Sequence, residues 1–287
     1  MNNMPYLIAE IGINHNGNLE TALELIKKAK EVGFNCVKFQ KRNPDVCVPE
    51  EVKNTPRSWK NQMMTYLEYK KDIEFNKEEY DVISAYCKFL GIDWTASIWD
   101  LDSLEFMKQY PEIPFIKVPS ALVDNEMLIE ELNKWGKPVV ISDGMLTTNE
   151  FMDVVVKYEN LWGILHTNSN YPCNEKELDL NIISRYDWFF NGDVEEAEDA
   201  ILIGYSGHEK GYDPTIIAVS AGAQIIERHI TLDKNSEGTD HKASLEAWEC
   251  SDMIDNIKYV LKVLGNHSKT KLYSGELEVA RKLKNVN

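Results

Sequence analysis

Short apolar runs alternate along the chain with longer segments in which apolar residues recur every three or four positions. The short runs are typical of buried strands, and the periodic segments are typical of amphipathic helices. Runs of continuous apolar character favour parallel strands that are covered by helices. The eight predicted strands are residues 6–11, 35–40, 92–96, 114–118, 137–142, 161–167, 200–204 and 224–229.

The segments between these strands carry helix signals. Asn76 and Glu79 are placed for a capping box at the start of a helix, and Glu150 is placed for another. Residues 41–73 form a longer polar excursion, in which 59–70 are predicted to be helical in part. The predicted helices are residues 19–31, 76–89, 100–109, 125–134, 147–158, 214–221 and 246–264, with partial helix in 175–190.

Eight strand–helix repeats in 287 residues favour an α/β fold that closes as a single (β/α)8 TIM barrel. An open, doubly wound sheet is the weaker alternative, because no GxGxxG motif follows the first strand. We expect one barrel domain over residues 1–265 and a short charged C-terminal tail over residues 266–287.

The composition narrows the class of protein. The formal net charge of −16 argues against a nucleic-acid partner and against docking on an anionic membrane, since both require a basic face. The five cysteines have no CxxC spacing, which suits reduced thiols. No apolar run reaches membrane-spanning length, and the N-terminus lacks a signal-peptide pattern. We therefore expect a cytoplasmic protein, and a few buried lysines would still let it bind an anionic small molecule.

Two lysines lie at the carboxyl ends of predicted strands, where a TIM barrel collects its functional residues. Lys38 and Lys117 are in otherwise apolar strands, and an ammonium there is costly unless it is paired or bound to an anion. Together with nearby hydroxyls they make a cradle for a phosphate or a carboxylate. Pairing with core carboxylates such as Glu10 or Glu227 is an equally good interpretation from the residues alone.

Two histidines close the last two predicted strands. Residues two apart in a strand share a face, so Ser206 and His208 point the same way, as do Glu227 and His229. A single histidine at a strand end is more often structural than a ligand. Two imidazoles at the same end of neighbouring strands favour a shared divalent metal.

Five motifs occur along the chain in a fixed order: IAEIGINHNG (8–17), VKFQ (37–40), GYSGH (204–208), ERH (227–229) and GTDHKASL (238–245). This series resembles the sialic acid synthase family, whose members are phosphoenolpyruvate-dependent nonulosonate synthases. The resemblance covers roughly residues 7–265. It implies that phosphoenolpyruvate adds to the aldehyde of an open-chain N-acyl hexosamine. A nine-carbon 3-deoxy-2-keto acid and phosphate would be the products.

The resemblance also implies roles for individual residues. His208 and His229 would be the metal ligands, for Mn²⁺ first and Mg²⁺ or Co²⁺ as alternatives, and Glu10 would transfer a proton or activate water. Gln40, Glu227 and Asp240 would face the sugar or metal-bound water, with Gln40 and Asp240 as the sugar contacts. The resemblance makes a homodimer the expected assembly. The expected catalytic set is Glu10, Lys38, Lys117, Glu227 and Asp240, and the expected phosphoenolpyruvate-binding set is Lys38, Thr95, Lys117, Ser120, Ser169, Tyr171 and Ser206.

The chain departs from the family pattern at several points. Gly207 replaces the usual aspartate before the first metal histidine, and residues 119–122 read PSAL where many members have GSGE. Ser169 replaces an asparagine that some members have. Many members also carry a C-terminal antifreeze-like domain that contributes an arginine to the sugar site. Without that domain we expect Arg281 of the tail, a separate chain or a different acceptor to complete the sugar site.

Two alternative functions stay open. The first is a related barrel synthase that makes a shorter 3-deoxy-ulosonate from a pentose phosphate. The sequence around Lys242 lacks the dense arginines expected for a second phosphate, which disfavours it. The second is a non-catalytic sugar-binding or anion-binding barrel, for example as one subunit of a larger complex. The retained Glu10, Lys38, His208 and His229 argue against it.

Overall fold

Ten strands and twelve α-helices lie in the residues that the computed structural model describes, which are 4–192, 200–265 and 271–284. The strands are β1 (Tyr6–Gly12), β2 (Cys36–Lys41), β3 (Pro56–Trp59), β4 (Gln62–Thr65), β5 (Asp93–Ile98), β6 (Ile116–Lys117), β7 (Val139–Ser142), β8 (Leu161–His166), β9 (Leu202–Gly207) and β10 (Ile225–His229). The helices are α1 (Leu19–Val32), α2 (Pro44–Cys47), α3 (Glu50–Lys53), α4 (Tyr66–Asp72), α5 (Lys77–Leu90), α6 (Leu101–Met107), α7 (Glu126–Trp135), α8 (Thr148–Val155), α9 (Ile182–Asn191), α10 (Asp213–Ser220), α11 (Ala247–Leu264) and α12 (Ser274–Leu283).

Eight of the strands pair in parallel and close into a barrel in the order β1-β10-β9-β8-β7-β6-β5-β2. The predicted (β/α)8 barrel is therefore confirmed. The fourth predicted strand, 114–118, is reduced to the two residues of β6. No helix within the described ranges combines the length and the apolar character that a bilayer crossing requires.

The barrel interior is layered along the strands. Six buried side chains form its apolar floor, and they are Ile8, Cys36, Phe115, Val140, Leu165 and Ile225. Residues two positions further along a strand point to the same side, so the residues two positions after those of the floor form the next layer. That layer is polar and charged, and it contains Glu10, Lys38, Lys117, Ser142, Thr167 and Glu227.

The excursion between β2 and α5 folds differently from the prediction. Residues 59–65 are not helical: β3 and β4 form an antiparallel hairpin, and helix begins only at Tyr66. Lys60 and Asn61 form its two-residue turn with φ of 49° and 61°. Two successive positive φ values match the twist of a hairpin, whereas they stop a helix. Trp59 and Tyr69 anchor the excursion in a small apolar cluster with Ile13 and Ile73.

The helix caps follow the sequence closely. Asn76 and Glu79 form the predicted capping box at the start of α5, and Thr147 forms one with Glu150 at the start of α8. In the predicted tail, residues 271–284 are described and contain α12. Residues 1–3, 193–199, 266–270 and 285–287 of the predicted domains lie outside the described residues. The division into barrel and tail stays a prediction.

A buried ion pair joins β10 to the segment that follows β9. Arg228 points away from the lumen, and its Nη1 lies 2.5 Å from Oε1 of Glu209, with both side chains fully buried. The same nitrogen donates to the Thr215 hydroxyl at 2.7 Å, and Nη2 donates to the Gly211 carbonyl at 2.8 Å. The central residue of the ERH motif is therefore structural, while its neighbours face the lumen.

We predict that Arg228→Met lowers the free energy of unfolding by about 3–5 kcal/mol, because it leaves the Glu209 carboxylate buried without its counter-charge. Adding Glu209→Gln should recover part of the loss, since a neutral amide is cheaper to bury than an unpaired carboxylate. Urea unfolding of the wild type, the single variant and the double variant measures both effects. A loss below about 1 kcal/mol in the single variant would show that the pair does not stabilise the barrel.

Candidate active site

A cavity of about 110 Å³ opens at the carboxyl ends of the barrel strands, above the apolar floor. We call it the lumen cavity. The sequence-predicted site residues line it, except for Thr95 and Asp240. The lining residues from that set are Glu10, Lys38, Gln40, Lys117, Ser120, Ser169, Tyr171, Ser206, His208, Glu227 and His229.

Lys38 is paired within the protein. Its Nζ lies 2.7 Å from Oε2 of Glu10 and 3.6 Å from Oε1 of Glu227, and it donates to the Ser97 hydroxyl at 2.8 Å. Burial acts to lower the pKa of Lys38, but the two carboxylates outweigh it and raise the pKa above its usual value. Pairing with core carboxylates, one of the two interpretations open from the sequence, is thus correct for this lysine.

Lys117 has a different environment. Its ammonium donates to the Ser142 hydroxyl at 2.7 Å and to the Val118 carbonyl at 2.8 Å. Among the described residues, no carboxylate lies within 4.0 Å of it, although the side chain is only 3% exposed. Burial lowers the pKa of Lys117 to about 8, with Glu227 acting in the opposite direction. A buried cation of this kind can be stabilised by an anion that enters the lumen cavity.

The two lumen carboxylates are held in different protonation environments. Burial and the nearby Glu227 raise the pKa of Glu10, even though Lys38 opposes the shift. Burial also acts to raise the pKa of Glu227, but Lys38 and Lys117 outweigh it and hold the pKa below its ordinary value. Carboxylates separated in this way are suited to different roles, with Glu10 able to carry a proton and Glu227 fixed as an anion.

The two predicted metal histidines meet at the mouth of the lumen cavity, with ring centroids 5.5 Å apart. Nδ1 of His208 lies 2.6 Å from the Asn168 carbonyl oxygen, which fixes that nitrogen as the donor and leaves Nε2 with its lone pair. The Tyr171 hydroxyl lies 2.8 Å from Nε2, and the Tyr171 ring stacks on the imidazole. Burial and the neighbouring His229 lower the pKa of His208 to about 3, so the ring is neutral.

These donors fit a divalent cation that keeps part of its coordination for oxygen ligands. Nδ1 of His229 is buried and has no hydrogen-bond partner among the described residues, and Oδ2 of Asp240 lies 3.9 Å from it. No three His, Cys, Asp or Glu side chains of the described ranges converge closely enough to hold a metal by themselves. A cation between His208 and His229 would therefore take water or substrate oxygens as further ligands.

Two predicted anion-binding hydroxyls converge over Gly144, next to Lys117. A Cβ at position 144 would lie 2.4 Å from Oγ of Ser169 and 2.7 Å from Oγ of Ser120. Glycine thus keeps the space between the loops after β6, β7 and β8 open, and both hydroxyls face it. The arrangement can accept the oxygens of a phosphate.

Thr95 does not line the lumen cavity, and its predicted contact with phosphoenolpyruvate stays a prediction. Its hydroxyl donates to the Phe115 carbonyl at 2.6 Å, and the side chain is fully buried below the lumen cavity. Ser97, two residues further along β5, lines the cavity in its place and accepts from Lys38. The sequence gives the face of the strand, but it does not give the depth at which each residue lies in the barrel.

Gln40 lines the lumen cavity, whereas Asp240, the other predicted sugar contact, lies beside His229 and does not line it. Nε2 of Gln40 donates to Oε1 of Glu10 at 2.9 Å, and Oε1 of Gln40 accepts from Arg42. Burial acts to raise the pKa of Asp240, but His229, the Thr239 hydroxyl, Lys70 and Arg42 together hold it below its usual value. Arg42 was not singled out by the sequence, although it directly follows β2 at the end where barrel sites form.

Two other sequence features are explained by packing. A Cβ at Gly207 would lie 2.7 Å from the carboxylate of Glu209 and 2.8 Å from the Tyr205 ring. Glu209 therefore occupies the space that the aspartate usual in the family would need. In the NHNG turn, Asn14 donates to the Ile230 carbonyl and the Ser244 hydroxyl, and the His15 ring stacks on Phe75. This turn joins loops and contributes no group to the lumen cavity.

The fold and site define a (β/α)8-barrel protein with a charged, metal-compatible lumen. The fold is shared with the sialic acid synthetase of Leptospira borgpetersenii serovar Hardjo-bovis, at a TM-score of 0.83 and 27% identity, over 99% of this chain and 94% of that one. It is also shared with 3-deoxy-D-arabino-heptulosonate 7-phosphate synthase of Thermotoga maritima, at a TM-score of 0.62 and 14% identity, over 91% of this chain and 88% of that one.

The sequence comparisons identify the family. The NeuB family model matches residues 25–269. N-acetylneuraminate-9-phosphate synthase of Homo sapiens is 36% identical over 92% of this chain and 72% of its own length. N,N'-diacetyllegionaminic acid synthase of Legionella pneumophila is 30% identical over 92% of this chain and 74% of its own length. The chain belongs to the NeuB family of sialic acid synthases, as its motifs indicated, and it is an enzyme.

We predict that sulfate binding to the lumen cavity weakens as the pH rises through about 8, because the Lys117 ammonium loses its proton there. Sulfate itself keeps a constant charge over this range. The dissociation constant should rise by about fivefold between pH 8 and pH 9, as expected for the loss of one proton from a group with a pKa of about 8. Titration calorimetry between pH 6.5 and 9.5 measures this.

The matched control is Lys117→Arg, since a guanidinium stays charged throughout the range. Its sulfate affinity should not change with pH. If the pH dependence persists in Lys117→Arg, a different group controls anion binding.

Proposed function

We propose that this protein is a metal-dependent synthase that condenses phosphoenolpyruvate with an open-chain N-acyl hexosamine. The products are a nine-carbon 3-deoxy-2-keto acid of the sialic acid type and phosphate. The names of its relatives, which include N-acetylneuraminate-9-phosphate, legionaminic acid and pseudaminic acid synthases, support this class of reaction. The observation that carries the proposal is Lys117, a buried ammonium without a carboxylate partner in the described ranges, beside hydroxyls that face an open space.

Phosphoenolpyruvate binds through its charge. Lys117 and the hydroxyls of Ser120 and Ser169 hold an anionic group over Gly144, and Lys38 contributes a second buried ammonium. Because both lysines are desolvated, each interaction with a phosphate or carboxylate is stronger than it would be in water. Tyr171 and Ser206 complete the wall that encloses the enol ester.

The metal-binding role falls to His208 and His229. These two histidines would hold a divalent cation, with Mn²⁺ as the expected ion, which would supply Lewis acidity toward the acceptor aldehyde. Neutral imidazole is the form that binds a metal, and burial keeps His208 in that form. Asp240 contributes negative charge beside His229.

Glu10 is the residue that transfers protons in this reaction. The methylene carbon of phosphoenolpyruvate bonds to the aldehyde carbon, and the aldehyde oxygen takes a proton from the protonated carboxyl of Glu10. Water then adds to the carbon that bears the phosphate. The bond between that carbon and the phosphate oxygen breaks as the keto group forms, and the remaining hydroxyl proton leaves with the phosphate. Glu10 takes the proton from this water, because its raised pKa lets it exist in both protonation states, and Gln40 holds the carboxylate in position.

The remaining assignments stay predictions. They include the full set of site residues, the cytoplasmic location and the homodimer. The acceptor is an aldose whose chain fits between the lumen cavity and the loops at its mouth.

Phosphate release is expected only when phosphoenolpyruvate, a divalent cation and an N-acyl hexosamine are all present, and the product mass should equal the sum of the two substrates plus water minus phosphoric acid. His208→Ala should lower turnover by more than about a hundredfold, since changes to outer partners of metal ligands alone cost ten- to hundredfold. Both results come from a phosphate assay combined with mass spectrometry.

The matched control is His241→Asn, since the buried His241 ring contacts Thr231 and Asn16 and lies outside the lumen cavity. This variant should keep most of the turnover. No phosphate release with any N-acyl aldose would overturn the proposed reaction. Retained ligand binding without turnover would favour a sugar-binding barrel instead.

A further inference from the structure

A histidine and an aspartate at the ends of two neighbouring strands form a buried pair. His166 is the last residue of β8, and Asp143 directly follows β7. Nδ1 of His166 lies 2.7 Å from Oδ2 of Asp143, and the two side chains are 14% and 7% exposed. Neither residue lines the lumen cavity, and none of the roles proposed above uses them. Any effect of the pair on the reaction therefore passes through other residues.

The hydrogen-bond partners of His166 fix its charge. Nε2 lies 2.6 Å from the Leu178 carbonyl oxygen, and a carbonyl can only accept, so this nitrogen carries a hydrogen. Nδ1 faces the Asp143 carboxylate, whose oxygens also accept from the Tyr186 hydroxyl at 3.1 Å and from the Thr167 backbone N–H at 2.9 Å. Both ring nitrogens therefore donate, and the ring is an imidazolium. Burial acts to lower the pKa of His166, but Asp143 and the Leu178 carbonyl outweigh it and raise the pKa above its usual value.

The pair joins three segments at the carboxyl end of the barrel. Asp143 belongs to the loop after β7, and His166 and Thr167 belong to the end of β8. Leu178 lies in the segment that precedes α9, and Tyr186 lies in α9 itself. Because the carboxylate and the ring together contact all of these segments, the pair fixes their relative positions.

The residues that follow the pair on β8 serve both halves of the active site. Asp143 accepts the backbone N–H of Thr167, which is the first residue after β8. The next residue is Asn168, whose carbonyl oxygen lies 2.6 Å from Nδ1 of His208 and orients this imidazole. Ser169 comes next, and its hydroxyl faces the open phosphate-binding space described above. Three consecutive residues thus connect the pair to the metal-binding side and to the anion-binding side.

We propose that Asp143 and His166 are positioning residues of the active site. Their ion pair holds the segment after β8 so that the Asn168 carbonyl orients His208 and the Ser169 hydroxyl faces an incoming phosphate. The cation site and the anion site then share one support, and a change in the pair affects both. This inference rests on the proposed function for the identity of the ligands, and it adds two residues that act through others.

Sulfate and Mn²⁺ are suitable probes because they carry opposite charges. A variant that only changes the charge near the site would tighten the binding of one ion and weaken the binding of the other. A variant that releases the segment after β8 would weaken the binding of both. Titration calorimetry measures sulfate binding at neutral pH, and electron paramagnetic resonance of free Mn²⁺ measures metal binding, both on the full-length protein.

His166→Gln and Asp143→Ala each break the network, with opposite changes of charge. The glutamine amide cannot donate to both the Asp143 carboxylate and the Leu178 carbonyl, and the alanine leaves the N–H of Thr167 without its acceptor. We expect each variant to weaken both sulfate and Mn²⁺ binding about tenfold, the lower end of the range for a lost hydrogen bond to a charged group and for a change to outer partners of a metal ligand. Circular dichroism checks folding, and either variant suffices for the test if the other does not fold.

Asp143→Asn is the conservative variant. Its amide oxygen still accepts from Thr167, and its NH₂ group can donate to Nδ1 of a neutral His166 ring, whose Nε2 keeps its bond to Leu178. The hydrogen-bond geometry is retained without the ion pair, so both affinities should stay within about threefold of the wild-type values. His241→Gln is the matched control, since it changes a buried histidine outside the lumen cavity, and it should leave both affinities unchanged.

The outcomes separate this inference from the proposed function. Unchanged affinities in the disruptive variants, opposite changes for the two ions, or weaker binding of only one ion would overturn the positioning role and leave the proposed function intact. An Asp143→Asn variant as impaired as Asp143→Ala would also overturn it, since the hydrogen bonds would then not account for the loss. If the wild type binds neither sulfate nor Mn²⁺, the proposed function fails, and this inference fails with it.

Discussion

The charge balance inside the barrel is the constraint on which the site depends. Glu10, Lys38, Lys117 and Glu227 are all buried, so each must find its counter-charge within the lumen. Lys38 pairs with Glu10 at 2.7 Å and lies near Glu227, whereas the partners of Lys117 among the described residues are a hydroxyl and a carbonyl. The folded protein therefore contains a desolvated ammonium, that of Lys117, which an anionic ligand can stabilise. The same arrangement separates the pKa values of the two carboxylates. It also leaves Lys117 next to the serine hydroxyls that converge over Gly144.

The register between neighbouring strands decides which lysine pairs with a carboxylate, and the sequence does not predict that register. The alternation of apolar runs and amphipathic helices predicts the barrel, and the strand ends predict most of the cavity wall. The partners of Lys38 and Lys117 depend on lateral pairing: Glu10 lies beside Lys38 across β1 and β2, whereas Lys117 lies beside Ser97. Periodicity along one strand carries no information about its neighbours. The depth of Thr95 and the hairpin at residues 56–65 were missed for related reasons.

Side chains at the mouth of the barrel are connected to the charged groups of the lumen. In the lumen, Lys117 lacks a carboxylate partner in the part of the chain that the structure describes, and at the mouth Arg42 stacks over Trp99 and donates to Gln40, which donates to Glu10. Arg42 begins the excursion that follows β2, and the rest of that excursion contains a hairpin and a short helix that periodicity alone did not resolve.

The most direct test of the account is a crystal structure of the protein grown with Mn²⁺ and phosphoenolpyruvate, with data collected at the manganese edge. We expect an anomalous peak between His208 and His229, and phosphoenolpyruvate in the lumen cavity with an anionic group against Lys117, Ser120 and Ser169. An anomalous peak remote from both histidines, or a lumen in which Lys117 contacts no part of the ligand, would contradict it.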